Sequence, residues 1–221
     1  MAPRTTVIPE YEHLRLTDRV GPGLCVLLVG INPGVRSALT DHHFAGPSNR
    51  FWQLLHESGL TSERLRFDDD TRLPEWGLGV TNLVARPTPG IDTLRPEEYV
   101  AGERILRRKV RRWRPTIVAF VGVTLYRAIF SPPASQRVTL GEQDPAAVSF
   151  EGARVFVLPN PSGRNANYSY AEMLAAFVAL AEHAARASRT STKARAAVRP
   201  APASRGSQEN RRALKPTARR S

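Results

Sequence analysis

The chain predicts an α/β fold, a three-layer α/β/α sandwich around a central, mainly parallel sheet of four to five strands, and three observations lead there. Short, continuous apolar runs recur at residues 24–29 (LCVLLV), 117–121 (IVAFV) and 154–158 (RVFVL). Such runs suit strands buried on both faces of a parallel sheet. Segments with helical spacing lie between them, and Gly or Asn-Pro follows each run, so strand, loop and helix alternate along the chain.

Taken in order, residues 24–29 form the first strand, and Gly30 ends it. The next stretch, INPGVRSALTDHHFAGPSN, reads as one long loop. Residues 50–58 follow as a helix, with Phe51, Leu54 and Leu55 on one face, Ser48 or Asn49 as cap and Gly59 as stop. Residues 79–84 (GVTNLV) give a second strand, followed by the Pro-rich loop ARPTPGIDTLRP. Residues 97–113 make a long helix with Val100, Ile105, Leu106 and Val110 on one side and arginines on the other, and Pro115 marks its end. The third strand at 117–121 leads into a short helix over 124–130. After an irregular or hairpin-like stretch through Gly141, the fourth strand at 154–158 ends in PNPSG, and a helix over 170–187 closes the core.

The 221 residues carry 32 Lys+Arg against 20 Asp+Glu, a formal charge of +12, unevenly spread. Eleven of the basic residues fall between Arg186 and Ser221, against one acid, Glu209. That tail has almost nothing apolar larger than Val198 and Leu214, so burial cannot offset its ordering entropy, and it reads as disordered. The expected organisation is an N-terminal extension over 1–20, one catalytic domain over 21–185 and a disordered basic tail over 186–221. Basic arms of this kind bind phosphate backbones without reading sequence, and the plainer reading is a solubilising tail. The single cysteine, Cys25, excludes an intramolecular disulfide and a four-thiolate metal site. Residues 1–20 lack the apolar core of a signal peptide, and no run approaches the ~18 apolar residues of a membrane span. The expected location is the cytoplasm, on the nucleoid of a bacterium, since the Arg-over-Lys bias suits a GC-rich coding sequence.

In parallel sheets ligands sit beyond the carboxyl ends of the strands. Four loops meet that condition here: GINPG, RPTPG, VGVT and PNPSG. Two of them share an Asn-Pro step, a rigid turn that presents backbone N–H groups and a fixed amide. The residues Gly30 to Gly34 (GINPG), Phe44 to Pro47 (FAGP) leading into Asn49 to Trp52 (NRFW), Gly79 to Thr88 (GVTNLVARPT) and Leu158 to Gly163 (LPNPSG) together resemble the mismatch-specific uracil-DNA and thymine-DNA glycosylase family of the uracil-DNA glycosylase superfamily. The resemblance spans residues 24 to about 185.

The resemblance implies a monofunctional DNA glycosylase that flips uracil, opposite guanine, and hydrolyses the N-glycosidic bond to leave an abasic site for base excision repair. Ethenocytosine and thymine are secondary substrates, and no cofactor is required. Asn32 falls on the water-positioning Asn. An amide has no accessible protonation change, so it orients water without deprotonating it. Phe44 matches the aromatic that stacks on the flipped base, with a core phenylalanine as its bland alternative. Ile31, Gly34, Ser37, Asn82 and Asn160 complete the implied base pocket, and Asn82 could equally satisfy strand-end backbone groups. Pro161, Ser162, Gly163 and Arg164 match the loop that enters the duplex. Arg164 departs from the apolar wedge expected there, and its stem can enter the stack or its guanidinium contact a phosphate. Asp92 is a candidate proton acceptor for the water, against Asp41, and against a capping role for Asp92 or Thr93 ahead of the Pro96 helix.

His42 and His43 have no Cys or second His motif to complete a metal shell, so no metal is expected and a pocket-wall or phosphate contact is the better reading. Schiff-base chemistry needs an activated amine. Lys109, the only lysine before the tail, sits in a basic helix that reads as a solvated or DNA-facing surface. The expected partner is double-stranded DNA with a mismatched or damaged pyrimidine, met by a monomer whose tail lies on the backbone. Two rivals remain: a catalytically weak module that binds mismatches or abasic sites, and an enzyme of free nucleosides, which needs neither tail nor wedge.

Overall fold

The computed structural model describes residues 10–197, with side chains through residue 189. Four parallel strands, β1 (Val26–Gly30), β2 (Leu78–Asn82), β3 (Ile117–Val121) and β6 (Ala153–Leu158), form the sheet in the order β2-β1-β3-β6. Two two-residue strands, β4 (Gly141–Glu142) and β5 (Ser149–Phe150), both pair antiparallel with the outer edge of β6. These account for the irregular stretch and cap the edge with pieces too short to recruit another chain. Helices α1 (Val35–Thr40), α2 (Phe51–Glu57), α3 (Pro96–Trp113), α4 (Val123–Phe130) and α5 (Tyr170–Ala197) complete the chain. None of the described helices is long and apolar enough to cross a membrane.

Alternate strand residues serve opposite faces, as a period of two requires. Val26, Leu28, Ile117, Ala119, Phe156 and Leu158 join Phe51, Leu54 and Leu55 of α2 and Met173, Phe177 and Leu180 of α5. Leu27, Val29, Val118, Phe120, Val155 and Val157 join Leu106 and Val110 of α3 and Leu125 and Tyr126 of α4. The result is the three-layer sandwich with helices on both faces.

Four expectations need correction. The long loop after β1 contains α1. Its six residues are too few to display a periodicity, and its Ser37 and Ala38 are buried while Gly34 O accepts from Ala38 N at 3.1 Å. On α3 the buried stripe is Gly102, Leu106 and Val110, while Val100 and Ile105 are 54% and 42% exposed. Spacing of four sets that stripe, because Gly102 lies against the Leu83 backbone and brings the helix close. The end of the expected N-terminal extension is paired with the sheet: Arg19 exchanges backbone hydrogen bonds with Val80 at 3.0 and 2.8 Å on the outer edge of β2. Finally, α5 runs through Ala197, past the expected boundary at Arg186. Residues adjoining a helix already anchored by Phe177 and Leu180 extend it without a new nucleus, and Ala, Arg and Lys favour it. Residues 198–221, with most of the basic tail, lie outside the described residues.

Candidate active site

The strand order reverses direction between β1 and β3, and there the carboxyl ends of two neighbouring strands feed opposite layers. A cleft of about 200 Å³ opens at this point, walled by Ile31, Gly122, Val123, Asn160, Ser162 and Arg164. It is the place where open α/β sheets hold ligands. Of the residues expected in the base pocket, Ile31 and Asn160 line this cleft beside Ser162 and Arg164 of the expected duplex-entering loop, whereas Asn32, Gly34, Ser37, Phe44 and Asn82 are not among its lining residues. Gly122 and Val123 also line it, residues for which the sequence offered only a strand-end loop.

Asn32 directly follows Ile31, a residue of the cleft wall, at the carboxyl end of β1. Its Nδ2 donates to Thr88 Oγ1 at 2.7 Å, Arg86 O at 3.0 Å and Pro33 O at 3.2 Å. Thr88 is buried, and its hydroxyl donates to Gly90 O at 2.7 Å, so it can only accept from Asn32. This chain fixes which way the amide faces. Its Oδ1, with no hydrogen bond among the described residues, is left as a directed acceptor. The ladder between Gly34 and Thr88 and the bond from Thr88 N to Pro33 O at 3.1 Å bind the two loops together. Arg86 is itself stapled by Glu98, Nε to Oε1 at 2.7 Å. That hydrogen bond is the largest influence on the Glu98 carboxyl and draws it down to about 2. Neither Thr88 nor Arg86 carried a role in the sequence reading. The RPT string is the signal, and its meaning is invisible without the partner loop.

Asn82 pairs with Gly30 across β2 and β1. A Cβ on Gly30 would stand 2.6 Å from Asn82 Oδ1 and 3.7 Å from Phe44 Cζ, so Gly30, Asn82 and Phe44 converge, and a larger residue at 30 would displace the Asn82 amide. Phe44 has φ 51, a left-handed conformation that aromatic residues rarely adopt. One face of its ring stacks on Phe51, centroids 3.9 Å apart and planes 20° apart. The ring is half-buried against the core. Ser37, expected in the pocket wall, is buried beneath it, its Oγ accepting from Ala45 N at 3.1 Å. It shapes the turn that presents Phe44.

His42 and His43 are turned away from the cleft, against the expectation of a wall or phosphate contact. His42 Nδ1 lies 3.0 Å from Asp70 Oδ1, and His43 Nε2 lies 3.0 Å from Thr17 O. Burial pushes the His43 imidazole below its ordinary range. Asp41 pairs with Arg19 at 3.1 Å. Burial would raise its carboxyl, but the Thr17 amide and Arg19 outweigh it and hold the group below the usual carboxylate range, which makes it a poor base. Among the described residues no group of three or more His, Cys, Asp or Glu comes together to hold a metal ion.

Asp92 is exposed, in a turn over Ile91–Thr93 with its carboxylate folded against Gly90, and no contact joins it to Asn32. Neither Asp92 nor Thr93 caps α3. Glu98 does so, its Oε2 accepting from Arg95 N at 2.9 Å. Likewise Asn49 Oδ1 accepts from Phe51 N at 3.0 Å at the start of α2. Lys109 is not a free surface amine: its Nζ sits 2.7 Å from Asp18 Oδ2 and 2.9 Å from Thr81 Oγ1.

The loop after β6 is tied mainly to itself. Asn160 Oδ1 accepts from Ser162 N at 3.0 Å, Asn165 Nδ2 donates to Asn160 O at 2.8 Å, and Ser162 Oγ accepts from Arg164 N at 3.3 Å. It touches the segment before α2 at two points. Arg50 N donates to Pro161 O at 3.0 Å, and Gly163 lies so close to Ser48 that a Cβ would fall 2.6 Å from the serine's own. Two motifs more than a hundred residues apart are thereby interlocked, with Arg164 exposed at the rim.

This chain is similar to known proteins in the same region. The family model described as the uracil DNA glycosylase superfamily matches residues 18–185. A G/U mismatch-specific uracil DNA glycosylase of Schizosaccharomyces pombe (strain 972 / ATCC 24843) is 41% identical over 150 residues, which are 65% of this chain and 45% of that relative. The chain therefore aligns with less than half the length of that curated relative.

Proposed function

The chain belongs to the uracil DNA glycosylase superfamily, and on that premise we propose that it excises uracil mispaired with guanine in double-stranded DNA and leaves an abasic site without cutting the strand. One observation carries the reading most: the Asn32 amide at the carboxyl end of β1 is held through its nitrogen by three acceptors, which leaves its oxygen as the acceptor available to a water. A flipped uracil lies against the Phe44 ring, near Asn82 and Gly30. Asn32 Oδ1 accepts a hydrogen bond from the attacking water and aligns it with the anomeric carbon as the N-glycosidic bond lengthens. The amide takes no proton, so the rate depends on the leaving group, and the departing uracil anion is met by backbone N–H groups lining the pocket. Slow turnover and tolerance of ethenocytosine, thymine or modified uracils follow from such a pocket.

The loop from Asn160 to Arg164 fills the space the flipped nucleotide vacates, with the Arg164 stem against the bases and its guanidinium toward the opposite guanine or a phosphate. The engagement of Lys109 by Asp18 and Thr81 favours hydrolysis over Schiff-base chemistry. The basic tail adds sequence-independent, salt-sensitive affinity for the duplex, and the protein acts as a monomer.

The test is single-turnover cleavage, developed with alkali, of duplexes carrying uracil opposite guanine, uracil opposite adenine, ethenocytosine or thymine opposite guanine, and of single-stranded uracil, with Asn32→Ala as control. Uracil release that the variant loses is the expected result. Tight binding of the G·U duplex with no cleavage of any substrate would overturn the catalytic reading in favour of a lesion-binding module.

A further inference from the structure

We propose that Asp70 is a positioning residue for the base pocket, acting through the backbone that holds Phe44; the inference rests on the pocket reading above. Asp70 lies in the 3-10 segment Phe67–Trp76, whose helix-like turns have no residue in the cleft. Its carboxylate is fully buried. Oδ1 accepts from Arg19 Nε at 3.0 Å and meets His42 Nδ1 at 3.0 Å, while Oδ2 accepts from the backbone N–H of His43 at 2.9 Å.

A buried carboxylate needs a paired charge, and Arg19 supplies it. Pairing alone does not explain the choice of residue, because apolar side chains of similar volume fill buried sites as well or better. What an apolar side chain lacks is an acceptor aimed at His43 N, and a charged acceptor makes the stronger bond to an amide. That amide is one residue before Phe44, where the chain takes φ 51. Such a conformation persists only when its surroundings over-determine it. Three ties do so here: Asp70 on His43 N, Thr17 O on the His43 ring, and Ser37 Oγ on Ala45 N at the far side of Phe44. Asp70 joins the backbone next to Phe44 to Arg19, which is backbone-paired with Val80 on β2 and also bonds Asp41 in the same turn. The ring of Phe44 is thus registered against the same strand that carries Asn82.

Asp70→Asn keeps the side chain's size and one acceptor and removes its charge. Single-turnover rates on the G·U duplex at saturating enzyme are measured for wild type, Asp70→Asn, Phe44→Leu and the double variant, with affinity for an abasic-site duplex measured beside them. The expected result is a rate about 10- to 100-fold lower for Asp70→Asn in the wild-type background. Affinity for the abasic duplex, which has no base to stack, holds within about threefold, and the rate loss largely disappears once Phe44 is leucine. An unchanged rate, or an equal loss in both backgrounds, overturns the proposal. Should Asp70→Asn not fold, Arg19→Gln goes through the same cycle, with Asp41→Asn beside it to separate the loss of Arg19's own pairing with Asp41 from the loosening of the Asp70 carboxylate. A crystal structure of the variant decides the point without activity. Loss of the left-handed Phe44 conformation or of its stacking on Phe51 supports the clamp, and retention of both refutes it. If wild type cleaves nothing, the functional reading fails, and that structure still judges the clamp.

Discussion

Two Asn-Pro steps close two parallel strands of one sheet, and the fold gives them opposite physical characters. Asn32 after β1 is partly buried, and its amide nitrogen reaches carbonyl and hydroxyl groups on the loop after β2, more than fifty residues away. Asn160 after β6 is exposed, and its amide oxygen accepts only from Ser162, two residues on. The first amide is locked by distant structure through its nitrogen, and its oxygen has no hydrogen bond among the described residues. The second shapes its own loop and leaves Arg164 free at the rim. A dipeptide that is ordinary turn chemistry becomes a candidate catalytic element only where a second loop pins it.

The sharpest way to break the contrast is to remove the pinned amide: Asn32→Ala should lower single-turnover cleavage by about 10²–10³-fold or more, with duplex affinity little changed. Next comes the pin itself. Thr88→Val removes the hydroxyl that accepts from Asn32 and should cost about 10- to 100-fold in the same assay, with KM less affected than kcat. The support behind the pin is electrostatic. Glu98 has its carboxyl lowered to about 2 by Arg86, so its contribution to stability is fully present above the ordinary value near 4.5 and is lost as pH falls from there towards 2. Thermal unfolding followed across that range should show the loss in wild type, and Glu98→Gln should flatten part of it. On the exposed side the effects should be smaller and different in kind. Arg164→Ala should reduce the dependence of log affinity on log salt by about one and change the maximal rate only a few-fold. Smallest of all, Asp92→Asn should leave single-turnover cleavage within about twofold, and a larger loss would return Asp92 to the role of proton acceptor.

Legibility in the sequence followed length and locality. The buried strands at 117–121 and 154–158 are continuous apolar runs bounded by Gly and Pro, and they fall within a residue of their observed ends. The helix α3 was readable from its length and from the Pro115 that ends it, though not in its facing, because the contact between Gly102 and the Leu83 backbone lies outside any local pattern. Helix α1 was missed because six residues show less than two turns. The segment Phe67–Trp76 was passed over, for three successive aspartates suggest solvent. Only the fold shows that Asp70 faces inward, onto Arg19 and the His43 amide, and that His42 and His43 belong to that interior and not to the pocket wall.

By itself the sequence determined the α/β class, the order of the strands and their loops along the chain, and the family to which the motifs belong. These depend on side-chain chemistry and on neighbours a few residues apart. Tertiary structure alone decided which of two similar Asn-Pro turns is pinned, that Thr88 and Arg86 do the pinning, that Asp92 makes no hydrogen bond to Asn32, and that a buried aspartate accepts from the amide next to Phe44. Those are choices between contacts separated by tens of residues, and hydrogen-bond direction across such distances is set by how strands and loops pack, which no local pattern encodes.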